Sequence, residues 1–492
     1  MRKNLPAALL FIGIIIAGNF IAFKMVHLPD QMQFVVLLGL IMFYPVFRYP
    51  IVGVYLLFVL LPFVPLIRRL YYLAYSRPAV DPLIVIGEII LTVMLIGLFF
   101  VFRDHLQQGT FRQRISFFVM VYFLYMLLRV FVYNEWPLSR ALLIFRFYGP
   151  QVLLYFVGIL YAFEEKHLRR LWGITLVIGV AAVLYGLNQF FFGYNEAEKL
   201  WFSSIDFSSL FIKGVARPFS FFLSPAAFAD YSQVAVIALI AFSGFRKVTG
   251  KLSLFLLPLF WTGVLITSVR SNWIGMALSL FVWLFIVRVK GNRQRLFFLA
   301  LMTLSFVMFD IVQNLIHTGL SVGTFIATTS GNTQANQNLA LLVTERTAAV
   351  SNPFQEYSLL SRIELWKFIF QSSLEPQYAV FGRGLGVINA DSLFMTYLAN
   401  FGYPGLFLIV AIVVIFIVNG FQVIDQQKNR FVLAVATAVV TMDIVLALLN
   451  LTGSHIHSFP GDTYFWFWNG VLMGMWSGRA GREEENENPV DA

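Results

Sequence analysis

Apolar runs of about 17–25 residues recur along the chain, separated by short polar stretches that hold most of its arginine and lysine. Each run is long enough to cross roughly 30 Å of hydrocarbon as a helix. The pattern predicts fourteen such helices, at 5–23, 31–47, 50–67, 82–102, 114–133, 141–163, 171–193, 224–244, 252–268, 272–289, 296–314, 392–422, 431–451 and 463–477. The stretch 392–422 is too long for one simple span. Gly402 and Pro404 predict a short helix to Phe401, a break, and then the span proper. Between 315 and 390 the pattern changes to a long polar stretch, GNTQANQN included, which is too long for an ordinary connection. The chain therefore divides into an N-terminal transmembrane bundle (1–314), a large polar segment with short amphipathic helices (315–390), C-terminal transmembrane helices (391–478) and an acidic tail (479–492).

Composition agrees with an all-α polytopic membrane protein. Of 492 residues, 59% are hydrophobic and only 12% charged, where soluble domains carry roughly one-quarter. The first run, after MRKNLP, lacks a small-residue cleavage site and is expected to stay as an anchor. Cysteine is absent, which excludes disulfides, thiolate zinc sites and cysteine nucleophiles. The net charge of +10 does not point to nucleic acid, because the basic residues fall in short clusters between apolar runs rather than in a patch with stacking aromatics. Topology accounts for most of them. With both termini cytoplasmic, the clusters at Arg2, Lys3, Arg169, Arg170, Arg246, Lys247, Arg293, Arg295, Lys428 and Arg430 lie inside, as the positive-inside rule requires. Arg68, Arg69 and Arg77 lie outside and run against it, and 315–390 faces outward.

Four further arginines gather on that outer side: Arg217 in KGVARPFSFFLSPAAFADY, Arg270 in ITSVRSNWIG, Arg362 in LLSRIELWKF and Arg383 in FGRGLG. Guanidinium is always charged and presents a planar fork suited to phosphate oxygens, so arginines on an outer membrane boundary call for an anion. For each alone, a side chain snorkelling to lipid phosphates is an equal reading; their convergence favours a site. Ser361 and Glu364 fit a capping box that starts a helix with Arg362 at its first position, where free amides and the helix dipole add to its pull on an anion. Leu359, Ile363, Trp366, Phe370 and Leu374 then form one apolar face, suited to lying on the outer leaflet. The glycines of GRGLG allow a tight turn or close backbone approach, with Arg383 reaching an anion; no strand and helix of a dinucleotide fold surround them. Asp391 reads either as a plain N-cap or as a carboxylate able to take a proton from an attacking hydroxyl. Asp230 reads as a partner for an arginine or a polar bundle contact, and His317, His455 and His457 lie at the solvent boundary.

The set RPFSFFLSPAAFADY, SVRSNWIG, SRIELWKF and GRGLGVINADSLFMTYLANFGYPGL resembles the bacterial O-antigen ligase and polymerase superfamily, the WaaL and Wzy type membrane proteins, over roughly residues 168 to 425. The resemblance implies a metal-independent, inverting glycosyltransferase of the GT-C kind, without cofactor, in the cytoplasmic membrane and active at its outer face. Its donor would be a glycan on undecaprenyl diphosphate, its acceptor another glycan or glycolipid, and its partners membrane lipids and chain-length-regulating or flippase proteins, not nucleic acid. Arg217, Arg270 and Arg362 stand where the family places diphosphate-holding arginines, with Arg383 a fourth. Where the ligases carry a histidine, this chain has Asp391, which tilts the reading to a polymerase with Asp391 and Arg270 catalytic. Ligation to lipid A core is the alternative within the superfamily, and a lipid-linked glycan flippase is the alternative of a different class. With no D-x-D pair in the outer segments to hold a metal, arginines must supply the charge that stabilises a leaving diphosphate.

Overall fold

The computed structural model describes residues 43–74, 83, 86–101, 114–132, 134–204, 210–212, 215–243, 249–286 and 357–487. The predicted spans at 5–23 and 296–314, most of that at 31–47, Arg77, His317 and the polar run 315–356 lie outside them. The described chain is helical: α1 (Pro50–Ala74), α2 (Ile86–Val101), α3 (Arg114–Phe131), α4 (Leu138–Tyr148), α5 (Leu154–Leu160), α6 (Glu165–Phe192), α7 (Glu196–Ser204), α8 (Pro225–Ser243), α9 (Thr249–Ile266), α10 (Arg270–Ile286), α11 (Tyr357–Ser372), α12 (Pro376–Phe381), α13 (Leu393–Gln426), α14 (Arg430–Leu449) and α15 (Gly461–Glu487). A two-residue antiparallel ribbon, β1 (Phe211–Ile212) with β2 (Val215–Ala216), is the one departure from all-α among the described residues. Among the described residues, five helical segments are long and apolar enough to cross a membrane, Pro50–Ala74, Leu138–Leu160, Glu165–Phe192, Leu393–Gln426 and Arg430–Leu449. The protein is therefore a multi-pass membrane protein.

Local sequence explains the irregular elements. The segment expected as one span at 141–163 bends at Gly149 and Pro150, where a 3-10 turn (Pro150–Leu153) joins α4 to α5, because proline cannot donate to the helix ladder. Within α13, Gly402 takes φ 68 and breaks the helix ahead of Pro404, as the sequence predicts. A β-carbon at Gly402 would lie 2.5 Å from the Ala379 carbonyl, so α12 packs on α13 where only glycine fits.

The core is built around α15. Tyr464, Phe465, Trp466, Phe467 and Trp468 are consecutive and all buried, so this helix is enclosed all round rather than on one stripe, the mark of a central element. It meets α5 backbone to backbone: β-carbons added at Gly158, Gly470 or Gly474 would collide with main-chain atoms across the seam. Trp172 stacks on Trp468 at 4.2 Å, and α13 and α14 close the other sides. The C-terminal ends of α1, α6, α9 and α14 meet the N-terminal ends of α8, α10, α13 and α15 at one end of the bundle, where the buried polar side chains collect.

Two expectations about the segment before α13 are corrected. The helix α11 already includes Tyr357–Leu360, ahead of Ser361, because Tyr-Ser-Leu-Leu contains no residue that stops a helix. Ser361 and Glu364 are thus interior, and Arg362 stands more than a turn from the N-terminus, without its free amides. The inward stripe is Leu365, Ile369 and Ser373, packed on Met395, Leu398 and Ala399 of α13, so the polar segment and the helix after it share one small core. Phe370 and Leu374 of the expected face are exposed, as are Leu360 and Phe368, which gives α11 a second apolar surface turned away from the protein.

Candidate functional site

The polar end is organised by arginines and amides that pin one irregular strand of chain, residues 217–224. Gln189 at the end of α6 accepts from the backbone N–H groups of Phe219 (3.1 Å) and Ser220 (2.7 Å), and donates to the Ser220 carbonyl at 3.0 Å and to Glu198 Oε1 at 2.6 Å. Arg69, fully buried on α1, donates to the Ser220 carbonyl at 2.9 Å and to the Phe222 carbonyl, with Glu198 at 3.8 Å as its counter-charge. Its guanidinium also lies 4.3 Å over the Phe219 ring. Of the arginines that break the positive-inside pattern, Arg69 is therefore a structural cation of this hub. The sequence shows it only as a topological exception.

This hub presents Arg217. The backbone N–H of Arg217 closes the ribbon on the Leu210 carbonyl (3.0 Å), and its guanidinium reaches the Thr267 carbonyl at 3.5 Å. Thr267 opens the tight turn between α9 and α10, and Arg270 is the first residue of α10. Ser268 in that turn has φ 57, and Ser220 has φ 55; they are the non-glycine residues with positive φ among those described. Both lie on the segments joined by the Arg217–Thr267 contact, one leading from Arg217 and the other into Arg270, and such backbone strain is of the kind seen at functional sites.

A second polar chain leads from Arg270 to the other predicted residues. Two residues beyond it, Asn272 donates to Asp230 Oδ1 at 2.6 Å and to Gln233 at 3.1 Å. Asp230 holds Nδ1 of His455 at 2.8 Å and 3.0 Å, so it is a histidine partner and not an arginine partner. His455 stands in the loop between α14 and α15, whose Asn450 carbonyl accepts from the Leu393 N–H (2.9 Å) and the Ser392 hydroxyl (3.3 Å) at the start of α13. The N-cap of α13 is Ser392, whose hydroxyl accepts from Met395, and Asp391 lies one residue outside the helix; the plain N-cap reading of Asp391 is thereby corrected. Asp391 pairs instead with Arg362 Nε at 3.0 Å, at the surface.

Arg383 is employed differently. It sits 3.7 Å from Glu135 and lies against the rings of Tyr378 (4.6 Å) and Phe368 (5.4 Å), while its backbone N–H donates to the Ala399 carbonyl at 2.7 Å. Gly382, Gly384 and Gly386 all have positive φ and pass close to Asn400, Asn134 and Ile144, so GRGLG is a packing turn. No protein-family model matches this chain, and no curated protein matches it either.

Beside this chain of contacts a cavity of about 280 Å³ opens between α1, α2 and the start of α15. Leu57, Leu61 and Leu91 form its apolar wall, and Arg68, Glu88, His457 and Asp462 its polar one. Glu88 pairs with Arg146 at 3.1 Å. The two loop histidines differ sharply. His457 packs against Tyr148 (4.3 Å) and Tyr397 (5.3 Å), and burial pushes it down to about 3, so it is neutral. For His455 burial also opposes the charge, but the Asp230 carboxylate outweighs it and holds the imidazole above its ordinary value. Sequence alone left His455 as one of three boundary histidines. A carboxylate and a histidine at the same ends of two different spans was the signal available.

Proposed function

We propose that this chain is a GT-C-like membrane glycosyltransferase of the O-antigen ligase and polymerase type, with fourteen spans and both termini cytoplasmic. It joins undecaprenyl-diphosphate-linked repeat units into a surface polysaccharide at the outer face of the cytoplasmic membrane. The observation that carries the reading is the contact of the Arg217 guanidinium with the Thr267 carbonyl, in the strained α9–α10 turn three residues before Arg270. Transfer from a lipid diphosphate places negative charge on the leaving group, and two fixed guanidinium groups meet that charge without reorganising. Arg362, which pairs with Asp391 at the surface, is proposed as the third diphosphate-holding arginine. Arg383, held by Glu135 and two aromatic rings, is assigned to the fold. The cavity, apolar along α1 and α2 and polar at its top, has the character that an amphipathic lipid-linked substrate requires.

The test is incubation of the purified protein with an undecaprenyl-diphosphate oligosaccharide. A ladder of products is expected. Product formed only when lipid A core is added assigns a ligase instead, and no new glycosidic bond under either condition, with movement of the lipid across vesicles, assigns a flippase.

A further inference from the structure

We propose that His455 is the group that accepts the proton of the attacking hydroxyl, held for that task by Asp230 and Asn272. The inference rests on the glycosyl-transfer reading above. His455 stands on the 3-10 turn between α14 and α15, against the first turns of α8 and α10. Its Nδ1–H donates to Asp230, which is fixed in turn by the Asn272 amide at 2.6 Å. A carboxylate on Nδ1 selects the tautomer with the lone pair on Nε2, and it stabilises the imidazolium that forms when that lone pair takes a proton.

The other nitrogen lies directly against Gly453, which has no side chain to displace it. A β-carbon at Gly453 would lie 2.5 Å from Nε2, and among the described residues no side chain hydrogen-bonds to that atom. The Gly453 carbonyl accepts from the Leu393 N–H at 3.0 Å, so this side of the imidazole adjoins the start of α13 and hence Asp391. On the Nδ1 side, Asn272 lies two residues beyond Arg270. The residues that hold the imidazole thus lie near Arg270 in sequence on one side and near Asp391 on the other. Asp391 is poorly suited to the same task, because its carboxylate already faces a guanidinium.

In the step itself, the bond from the acceptor oxygen to the anomeric carbon forms as the bond from that carbon to the diphosphate oxygen breaks. The electron pair leaves on undecaprenyl diphosphate, and the hydroxyl proton passes to Nε2, from which it is lost to water. Among the described residues, the charged or titratable groups on the elements around His455 are Asp230 from α8, the neutral His457 on its own turn, and from α15 Asp462, whose carboxylate turns to the N–H and hydroxyl of Thr463. From α10 comes the uncharged Asn272.

Purified full-length protein and undecaprenyl-diphosphate oligosaccharide give the assay. His455→Gln is expected to lower kcat by about 10²–10⁴ with KM little changed, the range for loss of a general base. Asp230→Asn, whose amide oxygen still accepts from Nδ1–H, is expected to move the acid limb of the rate profile to lower pH, a shift that a purely structural contact does not produce. Asp391→Asn is expected to leave that limb in place. A His455→Gln protein with wild-type kcat, or an Asp230→Asn profile that does not move, overturns the inference while transfer by the wild type still stands. Absence of any transfer by the wild type overturns the functional reading and this inference together.

Discussion

Arg69→Met is the sharpest test of how the polar end is built. Methionine keeps an apolar stem under the Phe219 ring but removes the guanidinium. The Ser220 carbonyl retains its bond from Gln189, while the Phe222 carbonyl loses the donor it has from Arg69. Glu198 keeps its neutral partners Tyr185 and Gln189 but loses its counter-charge in a site where both side chains are buried. Stranding one member of a buried ion pair costs about 3–5 kcal/mol. An unmet buried carbonyl costs about 1–3 kcal/mol. Glu198→Gln placed on top of Arg69→Met removes the stranded charge, so the double variant is expected to recover part of the loss and to retain roughly the carbonyl penalty alone. Thermal unfolding in detergent, followed by tryptophan fluorescence, reads the cycle. The order expected is wild type, then the double variant, then Arg69→Met, with a gap of several degrees between the last two. Because Arg217 lies three residues before Ser220, glycosyl transfer is expected to follow the same order. An Arg69→Met protein that unfolds within about 1 °C of wild type, or one that Glu198→Gln makes worse, refutes the hub.

Other outcomes follow from the same contacts. Arg270→Lys and Arg270→Ala are expected to slow transfer by about 10²–10³ with unchanged unfolding, the cost of losing one fixed transition-state contact; wild-type rates remove Arg270 from the mechanism. The Arg362–Asp391 pair is partly exposed, with side-chain exposures of 29% and 66%, so breaking it is expected to cost no more than about 1 kcal/mol. A large rate loss in Arg362→Ala at constant Tm therefore marks substrate contact, and an unchanged rate excludes it. Gly158→Val forces a side chain into the α5–α15 seam against the Phe467 carbonyl and is expected to destabilise by more than the roughly 1–3 kcal/mol of ordinary overpacking, read as poor yield and early unfolding. The charged His455–Asp230 pair contributes stability that is full below the unfolded imidazole pKa of about 6.5 and is lost as pH rises through the raised folded value. Tm is thus expected to fall across that window in the wild type and to change less in Asp230→Asn.

Much of the architecture was legible because bilayer length and helix rise leave little freedom. Runs such as those at 50–67 and 431–451 had no other use for so many apolar residues, and Gly402 with Pro404 announced a break that the backbone makes. Helix starts were less legible, since local signals compete. Ser361 and Glu364 spell a cap, but Leu359 and Leu360 before them propagate a helix just as well, and packing on α13 decides. Ser392 and Asp391 are both good caps by residue type, and the Asn450 contact selects the serine. The site itself was half visible. Arginines far from any acid in sequence stand out in an apolar chain, which is why Arg217 and Arg270 could be named. The partners that give each cation or imidazole its task come from distant helices: Glu198 for Arg69, and Asp230, 225 positions before His455. No periodicity or spacing carries that information.

The placement of α15 has a consequence for how the protein is made. The helices that wrap it, α5, α13 and α14 among them, leave the ribosome earlier, so the bundle has an unfilled axis until this segment arrives. Its asparagine, threonine and aspartate residues make it a poor candidate for lipid on its own, and although long enough it is not apolar enough to count among the five clear spans. A ribosome stalled before residue 461 would therefore expose an incomplete barrel of helices to quality control, however well each of them had inserted.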